Sequence, residues 1–245
     1  MAHDDDPVGR LLSRREALAL LGATSGALLA GSISGEAQPQ IAGIVSPSCV
    51  VRPEQEEGPY FLDEQLNRSD IRSDPTNGTT KPGVPLALAM TVYRIGGGSC
   101  VPIPGALVDL WQCDAFGVYS DVRDPLFSTL GQKFLRGFQL TDATGTARFM
   151  TIYPGWYPTR TVHMHFKIRT PPESARSHEF ISQLYFDDTL TDRVHALPPY
   201  ASRGRRRVRN IQDSIFLNGG RQLMLAPTAA GNGYSAAFGV SLAEA

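Results

Sequence analysis

The chain has 245 residues, 42% hydrophobic and 19% charged, proportions that suit a globular protein and exclude a disordered or collagen-like one. A formal charge of -1 gives no whole-molecule field for nucleic acid or a membrane surface. Three cysteines are too few for a disulfide scaffold.

Residues 1–37 read as an address rather than as fold. Arg14-Arg15 precedes an apolar run from Ala17 to Ala30, shorter than the roughly 20 residues that span a bilayer. A paired arginine before a modest apolar stretch resembles a twin-arginine export signal, and Gly35-Glu36-Ala37 offers a cleavage site. The expectation is export by the twin-arginine machinery to the periplasm or the exterior, with no membrane attachment once the signal is removed. A buried amphipathic helix with an incidental arginine pair is the alternative.

Residues 38–84 follow as an extended N-terminal arm, polar and rich in Pro and Gly from Cys49 onward. From Pro85, short apolar runs alternate with turn signals. Strands are expected at 85–95, 105–113, 134–140, 146–152, 161–168, 180–186 and 234–241. Thr141-Asp142-Ala143-Thr144-Gly145 joins two of them as a tight hairpin. With no long 3.6-residue periodicity, this pattern predicts an all-β chain, a β-sandwich of antiparallel sheets over 85–245. Residues 112–133 are too long for a simple connection and predict a functional loop, while 189–196 fit one or two helical turns. Arg203, Arg205, Arg206, Arg207 and Arg209 form a basic cluster. It either meets an anionic ligand or is a solvated loop whose arginines pair with the chain's own acids, and the second reading is the simpler.

The segment that carries chemistry is Thr161-Val162-His163-Met164-His165-Phe166-Lys167-Ile168. Strand alternation sends Val162, Met164, Phe166 and Ile168 to one face as an apolar wall. His163 and His165 share the other face, close enough for two imidazoles to meet one metal ion. Alone, an H-x-H pair is a weak signal, since two histidines on a solvent-facing surface look the same. Beyond residue 37 only His178 and His195 remain, so other ligand types have to be sought. Tyr153, Tyr157 and Arg160 lie just upstream. A neutral phenol is a poor ligand, but Fe(III) is a hard Lewis acid that depresses a phenol's pKa and binds the phenolate. Two phenolates and one hydroxide would balance its charge. Packing is the better account of any single tyrosine.

CVVRPEQEEGPYF (49–61), CVPIPGALVDLWQCDAFGVYSD (100–121), the TDATGTARF hairpin, PGWYPTRTVHMHFKI (154–168) and ISQLYFDD (181–188) together resemble the intradiol ring-cleavage dioxygenases. That family includes catechol 1,2-dioxygenase and protocatechuate 3,4-dioxygenase, and the likeness is greatest to its smaller, exported, single-subunit-type branch. The resemblance implies a non-haem Fe(III) held in a β-sandwich with long active-site loops. Tyr119 takes the place of the equatorial tyrosinate and Tyr157 that of the axial tyrosinate displaced by substrate, with Tyr153 as competitor. His163 and His165 take the places of the equatorial and axial histidines. Arg160 matches an arginine over the substrate ring, and Gln183 a polar residue beside it. The implied partners are an aromatic diol and O2, and the implied reaction opens the ring between the two hydroxyl-bearing carbons to a muconate-type dicarboxylate.

His163 follows Tyr157 by six residues, a shorter connection than the family's best-known members have, which implies a more open substrate mouth. The helical dimerisation segment of catechol dioxygenases has no counterpart between Ala37 and Pro85, so a homo-oligomer stays open, as do the ring substituents. Cys49 and Cys100 are candidates for a disulfide in an oxidising compartment, and Cys113 for a buried thiol. Tyr60 either borders the site or packs. Two other readings stand beside this one: a β-sandwich binding module, suggested by Pro104-Gly105-Ala106-Leu107-Val108-Asp109, and a zinc or copper site with different chemistry.

Overall fold

A computed structural model of the chain describes residues 49–96, 99–124, 127–170 and 179–243; the export signal expected at 1–37 lies outside them. Strand β1 (Pro85–Gly96) reads PLALAMTVYRIG and buries Leu86, Leu88, Met90 and Val92, every second residue. That alternation is what a strand with one face on a core requires. β2 (Ser99–Pro102), β3 (Leu107–Trp111), the short pair β4 (Arg123–Asp124) and β5 (Phe127–Ser128), β6 (Arg136–Leu140) and β7 (Thr146–Ile152) follow. β8 (His163–Arg169) and β9 (Glu179–Tyr185) precede helix α1 (Asp188–His195), which is capped by the Asp187 carboxylate accepting from the Leu190 N–H. The four-residue helix α2 (Ser214–Leu217) and strands β10 (Thr228–Ala230) and β11 (Gly233–Ala243) complete the order.

The strands make two main sheets. In the first, β1 is central: β11 lies along one side of it, while β7 and then β2 share the other, and β10 pairs with β11. The second runs β6-β3-β8-β9, antiparallel throughout. One core cluster draws on both: Leu88 and Met90 of β1, Phe149 of β7, Leu110 of β3, Met164 and Phe166 of β8, Leu184 of β9 and Phe238 of β11.

The expectation of purely antiparallel sheets is corrected at β11. It pairs with β1 in parallel, from Leu86 opposite Tyr234 to Ile95 opposite Ala243. A parallel neighbour needs a crossover connection, and the helical stretch between β9 and β10 provides part of it. The loop expected at 112–133 contains the β4–β5 ribbon. The hairpin at 141–145 forms as its sequence demands: Asp142 accepts from the Thr144 and Thr146 N–H groups at 2.8 and 3.1 Å. Gly145 there has φ +72, and a Cβ on it would stand 2.7 Å from the Val92 carbonyl oxygen.

Residues 49–84 contain no long strand and are tied down piecewise. Val51, Asn67 and Asp70 bridge to Ser241, Phe138 and Met150, Ile71 is fully buried, and Arg68 donates to the carbonyls of Ser73 and Arg136. Cys49 and Cys100 form a disulfide that joins the start of this segment to β2 across 51 residues of sequence. Replacing both cysteines by serine is expected to lower the unfolding free energy by about 2–5 kcal/mol, read as a lower denaturant midpoint. An unchanged midpoint would show that the crosslink adds no stability.

Candidate metal centre

β8 has one face in the core, and its other face is buried as well: His163 and His165 are each only 2% exposed. The alternative of two solvent-facing histidines is therefore set aside. His163 Nδ1 lies 2.6 Å from the Thr161 carbonyl oxygen, which only accepts, so Nδ1 carries the proton and Nε2 keeps its lone pair. That Nε2 is 3.0 Å from His165 Nε2 and 3.1 Å from the Tyr157 hydroxyl.

Tyr119 comes from the loop between β3 and β4. Its ring lies 5.9 Å from that of Tyr157 and 6.4 Å from that of His165, and its hydroxyl is buried without a well-formed hydrogen bond. Tyr60 stacks on the Tyr119 ring at 4.4 Å and donates to Asp124 at 2.9 Å. Trp111 lies parallel to His165 at 5.1 Å. The segment before it closes over the same histidine, because Gly58 adopts φ +74 and a Cβ there would come within 3.2 Å of His165 Cε1.

Electrostatics keep this cluster neutral by itself. Burial, reinforced by the nearby Arg160 charge, lowers His163 to about 3. Burial and then His163 and Arg160 push His165 well below its ordinary value. Burial likewise raises Tyr119 and Tyr157 above the ordinary phenol, although Arg160 opposes the shift at Tyr157. The result is two neutral imidazoles and two phenols converging in a largely buried space. Two nitrogens 3.0 Å apart are spaced as cis ligands of one ion with bonds of about 2.1 Å. The unpartnered buried Tyr119 hydroxyl adds an oxygen donor that a hard cation accepts. The residues present fit a mononuclear metal.

Of the two tyrosines left open by sequence, the structure brings Tyr157 to His163. Tyr153 is fully buried in the core, bonded to Thr191 at 2.8 Å and packed on Phe186. His195 is also remote from the pair in its contacts, stacked on Tyr200 and 3.0 Å from the Pro154 carbonyl, and His178 lies outside the described residues. Arg160 and Gln183 meet: Arg160 Nη2 donates to Gln183 Oε1 at 2.7 Å. Gln183 in turn donates to the Glu56 carbonyl at 2.9 Å.

Sequence reasoning missed Asp213, which accepts from Arg160 Nε at 2.8 Å, and Tyr185, whose hydroxyl contacts Gln183. Asp213 lies 53 residues from Arg160, and a lone aspartate ahead of a four-residue helix carries no pattern that could have found it. In the basic cluster, Arg206 and Arg209 pair with Asp188 and Asp192, the simpler of the two readings. Arg203 instead lies over the Trp156 ring and donates to its carbonyl at 3.2 Å. Cys113 is a buried free thiol.

Fold and cluster together define an all-β enzyme with a buried histidine–tyrosine centre. More narrowly, the family model described as Dioxygenase matches residues 56–206, more than half of the chain, and the chain belongs to the intradiol ring-cleavage dioxygenases. It is 33% identical over 159 residues to the protocatechuate 3,4-dioxygenase beta chain of Burkholderia cepacia, a match covering 60% of this chain and 66% of the relative. The hydroxyquinol 1,2-dioxygenase of Corynebacterium glutamicum matches over 40% of its own length. Among solved structures, an intradiol ring-cleavage dioxygenase from Tetranychus urticae superimposes with TM-score 0.67 at 29% identity, over 79% of this chain and 94% of that one. The dioxygenase domain of a dioxygenase carbohydrate-binding fusion from Streptomyces sp. SirexAA-E gives 0.57 at 29% identity, over 80% and 100%.

Gly58 offers a test of how closely the arm seals the centre. Gly58→Ala forces a side chain into the left-handed region, at about 1–2 kcal/mol, and pushes its methyl group against His165. A lower melting temperature and a displaced His165 imidazole resonance in the metal-free protein are expected. A wild-type resonance would mean that the arm does not press on that ring.

Proposed function

We propose that this chain is a non-haem Fe(III) dioxygenase that opens catechol-type diols between their two hydroxyl-bearing carbons with O2, giving muconate-type dicarboxylates. The observation that carries the reading is the convergence of two histidines and two tyrosines at a largely buried site, in a chain of this family. Tyr119, Tyr157, His163 and His165 would hold the iron. When bound, the ferric ion supplies the Lewis acidity that makes phenolate binding and diol deprotonation favourable near neutral pH.

The remaining roles belong to the chain. Tyr157 is only partly buried and is the donor able to swing away; its Oη would take a proton from an incoming diol hydroxyl. Arg160 stands beside it with a charge that eases ionisation of Tyr157 and would stabilise negative charge developing on the ring. Gln183 steadies the Arg160 guanidinium from below. Tyr60, Trp111 and Gly58 pack around the donors and exclude water from them.

The reading extends to the architecture and address of the chain. The two sheets, with one core drawn from both, support a β-sandwich whose long loops carry Tyr119 and Tyr157, with residues 38–84 as an arm and 85–245 as the catalytic domain. Residues 1–37, with Arg14-Arg15 before an apolar run, support twin-arginine export to the periplasm or exterior, and the Cys49–Cys100 disulfide suits that oxidising setting.

A visible absorption spectrum of the aerobically purified, iron-replete protein, repeated with catechol under anaerobic conditions, tests the assignment. A tyrosinate-to-iron band that shifts on adding catechol is expected. Tyr157→Phe should alter that band and reduce turnover by about 10²-fold or more. A colourless iron-replete protein, or a band indifferent to Tyr157→Phe, would sink the ligand set.

A further inference from the structure

Arg160 approaches the site as an unusually constrained arginine. Its Nε donates to Asp213 Oδ2 at 2.8 Å and its Nη2 to Gln183 Oε1 at 2.7 Å, leaving Nη1 without a partner among the described residues. Asp213 is itself 2% exposed and fully committed. Oδ2 also accepts from the Thr161 N–H at 2.9 Å, while Oδ1 accepts from the Ile215 and Phe216 N–H groups at 2.9 and 3.2 Å. A second bond, from the Thr161 hydroxyl to Asn210 Oδ1 at 2.6 Å, fastens the same two segments.

These contacts give Asp213 a job distinct from ordinary helix capping. One carboxylate grips the start of α2, the residue that leads into β8, and the guanidinium two residues before Val162. The carboxylate fixes the Nε edge and Gln183 fixes Nη2, so the planar group has no rotation left. The remaining Nη1 edge is then held in a set orientation on a guanidinium whose charge reaches Tyr157 and His163. We propose that Asp213 is a positioning residue for ring cleavage, acting through Arg160 by fixing where its free N–H edge meets the bound diol. The inference rests on the proposed function, in which Arg160 faces substrate.

Asp213→Asn retains size and one capping oxygen but removes the charge and places an amide against Arg160 or the helix N–H groups. Steady-state kinetics on catechol are measured for the iron-loaded parent, Asp213→Asn, Asp213→Glu, Arg160→Ala and the Arg160→Ala/Asp213→Asn double variant. In parallel, the Arg160 Nε–H resonance is followed by NMR in the metal-free protein. Asp213→Asn is expected to lower kcat/KM by about 10²-fold, the scale of a displaced catalytic group, with the loss falling mainly in kcat. Asp213→Glu should regain part of it, and the double variant should be no worse than Arg160→Ala. The Nε–H signal should exchange slowly in the parent and quickly in Asp213→Asn.

A further loss in the double variant would show that Asp213 serves the fold at large and overturn the proposal. Parent-like kinetics in Asp213→Asn, with Arg160→Ala crippled, would overturn it while leaving the proposed function standing. Parent-like kinetics in Arg160→Ala would remove the role of Arg160 first, and this proposal with it.

Discussion

A strand buried on both faces has to satisfy its polar side chains inside the protein, and β8 is such a strand. Met164, Phe166 and Ile168 take the core side. His163, His165 and Lys167 take the other, each at most 8% exposed. Lys167 is matched by Glu57 and Glu179, each at 2.9 Å, and lies over Phe61. The two histidines find Thr161, Tyr157 and each other. What this packing leaves over is a set of donors with more lone pairs than protons to share, including a Tyr119 hydroxyl with no good partner. The rest of the molecule, from the arm to the two tyrosine loops, is arranged around that surplus.

The charged group that acts on the cluster, Arg160, is ion-paired with Asp213 before anything binds. Burial would raise Asp213 and lower Arg160, yet the Thr161 N–H and then the Arg160 contact hold the carboxylate below its ordinary value, and the bond to Asp213 holds the guanidinium above its own. The pair is thus charged but locally neutral. In a largely buried, low-dielectric site an added ion acts strongly on the donors around it. A bound cation would add to the Arg160 charge in favouring phenolate over phenol, coupling the ionisation of both tyrosines to metal occupancy.

Much of this was legible in the sequence, and the reasons for success and failure are physical. The alternation 162–168 fixed the face of His163 and His165, because a strand has a period of two and no other local structure reproduces it. Tyr157, Arg160 and Gln183 were reached by resemblance, and the contact of Tyr157 with His163 supports it over Tyr153, which bonds Thr191 instead. The parallel partner of β1 was hidden because pairing between distant strands leaves no local mark. Gly58 was hidden as well: its left-handed backbone matters only because His165 happens to lie beneath it. Asp213 joins Arg160 across 53 residues, a contact that composition and periodicity do not encode.

The parallel pairing of β1 with β11 also bears on how the molecule comes into being. β1 is the middle of its sheet, yet the neighbour covering one whole side of it is Gly233–Ala243. During synthesis, β1 leaves the ribosome long before that neighbour exists, with Leu86, Leu88 and Met90 lacking part of their final cover. The core can close only after β11 has emerged, so assembly is dominated by distant contacts, the slow regime for β proteins. Until then the chain carries an open sheet edge of the kind that pairs with the wrong partner. Its folding therefore depends on keeping that open edge apart from neighbouring chains until β11 arrives.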